Sequence, residues 1–252
     1  MPVSSTVSHH IASVTFGGTK GNSLPGELLD ELASTIESTA QRSDVRVIIL
    51  RSDGDGPFCA GASFDELLSI ADESTGKRFF LGFARVILAM TQAQKPIVVR
   101  VQGKAVGGGV GIVAAADYAI ATRSASVRLS ELAVGIGPFV VGPVIEHKIG
   151  RGAYGAMSLD ADWRDADWAE RHGLYAAVKG SIPELDSAVA TCAANLGAAN
   201  PDAVARIKRT VWAGTENWPS LLDERAAMSG ALVLSEFARK SIRAFQTRKT
   251  AG

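Results

Sequence analysis

Two cysteines in 252 residues are too few for a disulfide framework, and Cys59 and Cys192 form no C-x-x-C pair, so both are read as reduced, buried thiols. Net charge is missing as well. Lys plus Arg and Asp plus Glu number 26 each, which leaves no bulk positive field to attract nucleic acid or an anionic membrane. The four histidines, His9, His10, His147 and His172, stand at no metal-ligand spacing, so no metal is expected. The apolar runs fall short of the roughly 18 residues of a spanning helix, the longest being broken by Asp117. "MPVSSTVSHHIASVTF" lacks an export or import pattern, which predicts a cytoplasmic protein.

Nucleotide fingerprints are missing too. Counting from Gly107, a G-x-G-x-x-G motif needs glycine where Ile112 stands, and no G-x-x-x-x-G-K-[ST] occurs. "GASFD" around Ser63 lacks the closing glycine of a nucleophile elbow.

What is present is an ordinary globular composition, 46% hydrophobic and 21% charged, with an α/β alternation. "HIASVTF" reads as a strand. A helix follows from about Pro25, with Leu28, Leu29, Leu32 and Ile36 on one face. "VRVIIL" and "PIVVRV" are β-branched runs of the buried kind, each leading into a glycine-containing loop, "SDGDGPFCAGAS" and "QGKAVGGG". "DYAIAT" and "SVRLS" read as a hairpin or a pair of adjacent strands. From about Pro183 alanine-rich amphipathic helices take over, so the chain divides into an α/β core, 1–181, and a helical region, 182–252. Those helices either cover their own core or pack against a neighbouring subunit.

Three adjacent glycines, Gly107 to Gly109, open an apolar run that otherwise reads as a helix, although each glycine lowers helix stability by about 1 kcal/mol relative to alanine. Two readings follow from the residues. The loops "FCAGAS" and "VGGGVG" are tight strand-to-helix turns, or they meet and offer one main-chain N–H each to a single carbonyl oxygen.

The segments "NSLPGELLDEL", "VRVIILRSDGDGPFCAGASFDEL", "KPIVVRVQGKAVGGGVGIVAAADYAIAT", "SELAVGIGPFVVG" and "AERHGLYAAV" resemble, in order and spacing, the enoyl-CoA hydratase/isomerase (crotonase) family from about residue 10 to the C-terminus. The resemblance implies a crotonase-like core of repeated ββα units with a C-terminal helical region, a homotrimer or homohexamer, and an acyl-CoA thioester as substrate with no further cofactor. It places the oxyanion-hole amides at Ala60 and Gly108 and the acid/base at Glu131. For coenzyme A it points to Lys20, Ala60, Ala62, Ser63 and Phe64, with Phe237 and Lys249 from the C-terminal segment. Phe79, Phe80 and Phe83 stand as acyl-pocket walls or as core.

One departure matters. Family hydratases place a second glutamate where this chain has Gly111. Hydration divides its work between two carboxylates, whereas moving a double bond from position three to position two needs one base that collects a proton at C2 and returns it at C4. The expectation is therefore an enoyl-CoA isomerase-type reaction with Glu131 as single acid/base. The alternatives are a hydratase or other crotonase-type thioester chemistry, with Asp65 or Glu66 as helpers, and a non-catalytic acyl-CoA binder.

Overall fold

The computed structural model describes residues 3–250, with the backbone alone described at Thr19 and at 247–250. The chain opens with β1 (Val3–Ser8) and β2 (Ile11–Phe16), a short turn α1 (Thr19–Asn22), α2 (Gly26–Gln41) and β3 (Val47–Ser52). Then come α3 (Phe64–Ser69), α4 (Glu73–Gln92), β4 (Ile97–Val101), β5 (Ala105–Val106), α5 (Gly108–Ala114), β6 (Tyr118–Thr122) and β7 (Ser126–Arg128). After a 3-10 turn at Leu132–Val134 follow α6 (Gly142–Ile149), α7 (Arg151–Asp160), β8 (Arg164–Asp165), α8 (Ala166–Arg171) and β9 (Ala177–Lys179). Four helices close the chain: α9 (Ile182–Ala198), α10 (Pro201–Val211), α11 (Trp218–Leu232) and α12 (Glu236–Thr250).

The β-branched runs need cover on both faces and receive it. Six strands in the order β1-β2-β3-β4-β6-β9 form one sheet, parallel except for the β1–β2 hairpin. On one face Val47, Val98 and Ile120 meet Leu185, Val189 and Ala193 of α9. The main core, on the other face, takes Ile48, Val99 and Ala121 together with the Leu28, Leu29, Leu32 and Ile36 stripe of α2. Burial of such a leucine or isoleucine contributes about 1.5–3 kcal/mol. β6 and β7 are not partners, contrary to the hairpin reading. β6 is flanked on both sides by β4 and β9, so the chain leaves the sheet and β7 joins a second, three-stranded sheet, β5-β7-β8.

The C-terminal helices are tied to the core by specific contacts. Lys208 of α10 is buried, and its Nζ donates to Met90 O at 2.8 Å and Lys95 O at 3.0 Å and pairs with Asp117 at 2.7 Å. Asp117 also accepts from Ile97 N and Trp212 Nε1, so one carboxylate joins β4, α10 and the residue before β6. α11 crosses α4 backbone to backbone. A Cβ on Gly76 would lie 2.7 Å from Gly230 O, so both helices carry glycine at the crossing. Among the described residues no helix is long and apolar enough to cross a membrane, and no group of three or more His, Cys, Asp or Glu could hold a metal.

Gly76→Ala should lower unfolding free energy by about 1–3 kcal/mol in urea titrations, because the α4–α11 crossing has no room for a methyl group. Gly152→Ala, on α7 with nothing within 4 Å of the added carbon, should be neutral or raise stability by up to about 1 kcal/mol.

Candidate active site

Both glycine-containing loops leave the C-terminal ends of neighbouring parallel strands, β3 and β4, and they touch. Cys59 N donates to Lys104 O at 3.1 Å and Val106 N to Cys59 O at 2.9 Å, a one-residue parallel bridge that stitches the loops together. A Cβ on Gly61 would lie 2.9 Å from Val106 O and 4.0 Å from Gly108 N. Gly61 itself stands at φ +84°, in the region that favours glycine.

The amides of this junction have different destinations. Ala60 N–H donates to Gly21 O at 3.0 Å, so the donor that the resemblance places in the oxyanion hole is engaged within the chain. Ala62 faces Leu24 across a second parallel bridge, in which Leu24 N–H bonds Gly61 O and Leu24 O accepts from Ser63 N–H. In that pattern the hydrogen-bonding groups of Ala62 itself point away from Leu24, and among the described residues its N–H has no partner. Gly108 N–H, in the first turn of α5, has none either. Ala60, Ala62 and Gly108 all line one cavity, but the open amides there are those of Ala62 and Gly108.

The triple glycine has its explanation in the neighbours of this turn. Gly107 adopts φ +54° and ψ −117°, unsuited to other residues. A Cβ on Gly108 would meet Phe83 Cε1 at 2.0 Å, and one on Gly109 would meet Cys59 Cβ at 2.7 Å. The close approach is thus made by the chain's own side chains. Burial pushes the Cys59 thiol up to about 12, which makes it a packing group rather than a nucleophile.

Glu131 precedes the 3-10 turn, where its carbonyl accepts from Val134 N at 3.2 Å and Ile136 N at 2.9 Å. This fold-back directs the side chain at the glycine turn. A Cβ on Gly107 would lie 3.0 Å from Glu131 Oε1. The other oxygen, Oε2, is buried with no hydrogen-bond partner. Burial raises the carboxyl to about 7, against the smaller opposing effect of the Glu131 and Ser130 amides. The residue as a whole is half-buried, but its carboxyl oxygen Oε2 is enclosed.

The cavity around it is apolar, with Phe80, Phe83, Val134, Phe139 and Val141 among its walls and Glu131 as the one ionisable lining residue. It is narrow, with about 50 Å³ open to the centre of a water-sized sphere. A Cβ on Gly111 would meet Val141 Cγ1 at 2.6 Å and Ile87 Cδ1 at 3.7 Å, so a side chain at 111 would start against hydrocarbon. The proposed helpers are engaged elsewhere. Glu66 accepts from Gly26 N at 2.7 Å, while Asp65 pairs with Lys20 and accepts from Gln246 Nε2 at 2.8 Å.

Lys20, Ser63 and Asp65 line a second cavity of about 240 Å³. Ser63 caps α3, accepting from Glu66 N. Lys20 lies in an unusual turn. It stands at φ +60°, followed by Gly21 at +76° and Asn22 at +57°. Left-handed backbone costs about 1–2 kcal/mol per non-glycine residue, so the turn needs support. Asn22 supplies it, its Oδ1 accepting from Gly18 N at 3.1 Å and its Nδ2 donating to Asp53 O and Pro57 O, each at 3.0 Å.

Of the two C-terminal candidates, the structure describes the side chain of Phe237 alone. Phe237, 66% exposed, packs on Gly135, and the side chain of Lys249 lies outside the described residues. The aromatic that α12 brings to Phe64 is Phe245, edge-to-face at 5.8 Å. Sequence reading missed Phe245, Gln246, Asn22 and Val141. Only Asn22 carried a signal, since a Gly-Asn pair after a strand marks left-handed backbone.

A family model described as "Enoyl-CoA hydratase/isomerase" matches residues 6–251. The peroxisomal Delta(3,5)-Delta(2,4)-dienoyl-CoA isomerase of Arabidopsis thaliana is 27% identical over 239 residues, 88% of this chain and 84% of the relative. The (E)-benzylidenesuccinyl-CoA hydratase of Thauera aromatica is 30% identical over 180 residues, 71% of this chain and 70% of the relative. Among solved structures, an enoyl-CoA hydratase from Bacillus halodurans superposes with a TM-score of 0.89 at 21% identity, covering 97% of this chain and all of that one. An enoyl-CoA hydratase from Mycobacterium avium subsp. paratuberculosis K-10 gives 0.87 at 26% identity, covering 98% and 96%.

The raised carboxyl fixes the sign of a stability test. Between the ordinary 4.5 of glutamate and about 7 the folded chain binds the Glu131 proton more tightly than the unfolded chain, so ionisation penalises folding increasingly across that window. Glu131→Gln should match wild type in unfolding free energy near pH 4.5 and exceed it by up to about 3 kcal/mol above pH 7, measured in urea at both pH values.

Proposed function

The chain belongs to the enoyl-CoA hydratase/isomerase family, and within it we propose a double-bond isomerase acting on a 3-enoyl-CoA, with Glu131 as its single acid/base. The observation that carries this reading is Gly111, at the position where the resemblance expects a second glutamate, with Val141 and Ile87 packed beside it. Addition of water needs a site that holds and deprotonates water, and among the described residues no second carboxylate lines the cavity to share that work.

The chemistry follows from the groups present. The thioester oxygen accepts from the open Ala62 and Gly108 amides, which are in place before reaction and stabilise negative charge as it forms. The ionised Glu131 carboxylate removes a proton from C2, leaving a dienolate delocalised from the thioester oxygen to C4. The same carboxyl group then gives that proton to C4, and the electrons close a C2–C3 double bond conjugated with the thioester. No atom is gained or lost. A carboxyl near 7 suits both halves, being basic enough to take the proton and acidic enough to return it. The apolar walls keep water from the dienolate. Lys20, beside the second cavity, is placed to meet phosphate of the coenzyme.

Glu131→Gln should reduce conversion of 3-enoyl-CoA to 2-enoyl-CoA by about 10²–10⁴-fold, followed by the rise in conjugated-enoyl absorbance. In wild type, kcat/KM should rise with pH and reach half its plateau near pH 7, since the free enzyme must be ionised to act as base. Rapid hydration of crotonyl-CoA with negligible isomerisation would instead assign the chain to the hydratases. Lys20→Ala should raise KM for CoA esters several-fold while leaving kcat unchanged, in the same assay.

A further inference from the structure

The oxyanion amide of Ala62 is only as well aimed as the loop that carries it, and the Asn22 side chain helps to hold that loop from outside. Gly21 O accepts from Ala60 N at 3.0 Å, which sets the plane of the peptide joining Cys59 to Ala60, one residue ahead of the φ +84° turn at Gly61. Gly21 can face Ala60 only because Lys20, Gly21 and Asn22 run consecutively through left-handed backbone. Asn22, 7% exposed, clamps that run at both ends. Its Oδ1 takes the Gly18 N–H before the turn, and its Nδ2 reaches Asp53 O and Pro57 O, the carbonyls at the start of the oxyanion loop. Pro57 O receives a second donor, Gln102 Nε2 at 3.5 Å, from the loop after β4. The Asn22 amide therefore connects three segments: the Lys20 turn, the loop that ends in Ala62, and, through Pro57, the loop that leads to Gly108.

We infer that Asn22 is a positioning residue for catalysis. By holding the left-handed turn against the loop after β3, it fixes the aim of the Ala62 amide at the thioester oxygen. The inference rests on the oxyanion reading of Ala62 and Gly108. Its consequence is specific: weakening the clamp lowers stabilisation of negative charge on the thioester oxygen more than it lowers affinity for the uncharged acyl-CoA, because misplacing a preorganised donor is felt mainly where charge develops.

The test uses the full-length protein and two probes. Butyryl-CoA, a saturated ester with nothing to react, reports ground-state binding by calorimetry. Acetoacetyl-CoA reports the oxyanion site, since its enolate absorbs in the near ultraviolet and accumulates only where the enzyme stabilises the oxygen anion. Asn22→Gly retains access to φ +57° but removes all three side-chain hydrogen bonds. It should lower kcat for isomerisation about 10–100-fold and reduce the bound-enolate absorbance several-fold, while the Kd of butyryl-CoA changes less than about threefold. Gly21→Ala approaches the same carbonyl differently. Its Cβ has room, 3.5 Å from Pro57 Cγ and 3.6 Å from Ala60 Cβ, but φ +76° disfavours it, so the turn relaxes and the same selective loss is expected. Wild-type kcat and enolate signal in Asn22→Gly would overturn the inference. If that variant does not fold, wild-type values in Gly21→Ala overturn it, and so does a parallel loss of butyryl-CoA affinity and kcat. Absence of an enolate signal in wild type removes the oxyanion reading itself and this inference with it.

Discussion

A carboxylic acid enclosed in hydrocarbon, with one oxygen left unsatisfied, is the constraint on which the rest of the site depends. An ionised carboxylate in such surroundings is strongly disfavoured, and folding accepts the penalty at Glu131 only because the turn at 132–134 and the glycines opposite leave it no other direction. The enclosure has two effects at once. It lifts the carboxyl to about 7, so that both protonation states are populated near neutral pH, and it leaves one oxygen without a hydrogen-bond partner. Stability is sacrificed locally and regained in the two cores on either face of the sheet.

The position of that acid follows from the sheet topology. β3 and β4 are parallel neighbours, so the chain leaves both at the same edge, and the loops meet through the Cys59–Ala105 bridge without long-range machinery. α4 and α11 close the cavity from the side. Their glycine crossing brings Ser229 to the cavity lining, and Phe80 and Phe83 project from α4 into the same space. α11 is thus part of the wall of this cavity in its own chain. Lys208 and Asp117 explain how they are anchored: a buried lysine with three acceptors is stable only in one arrangement, and that arrangement docks α10 on β4.

Much of this was legible in the residues. The buried strands, the two loops after them and the family were readable from unbroken β-branched runs and linked motifs, and Glu131 stands in one of those motifs. Which amides stand free was less legible. Ala60 and Ala62 differ by two positions, and which of them presents a free N–H depends on partners far away in sequence, Gly21 for one and Leu24 for the other. The triple glycine was legible as a tight turn, but not that Phe83 and Cys59 fill the space beside it. At the C-terminus Phe237 and Phe245 both sit on an amphipathic helix, and only a long-range contact shows that Phe245 is the one docked on Phe64. In each case the deciding contact is long-range, beyond the reach of local pattern.

The packing of Val141 against Gly111 also ties two positions together. Any side chain at 111 would begin 2.6 Å from the Val141 Cγ1 methyl, so a larger residue there needs position 141 to move or shrink. Val141 is also a wall of the cavity, and shrinking it while 111 stays glycine would leave a void. The two positions therefore change together or at a cost in packing.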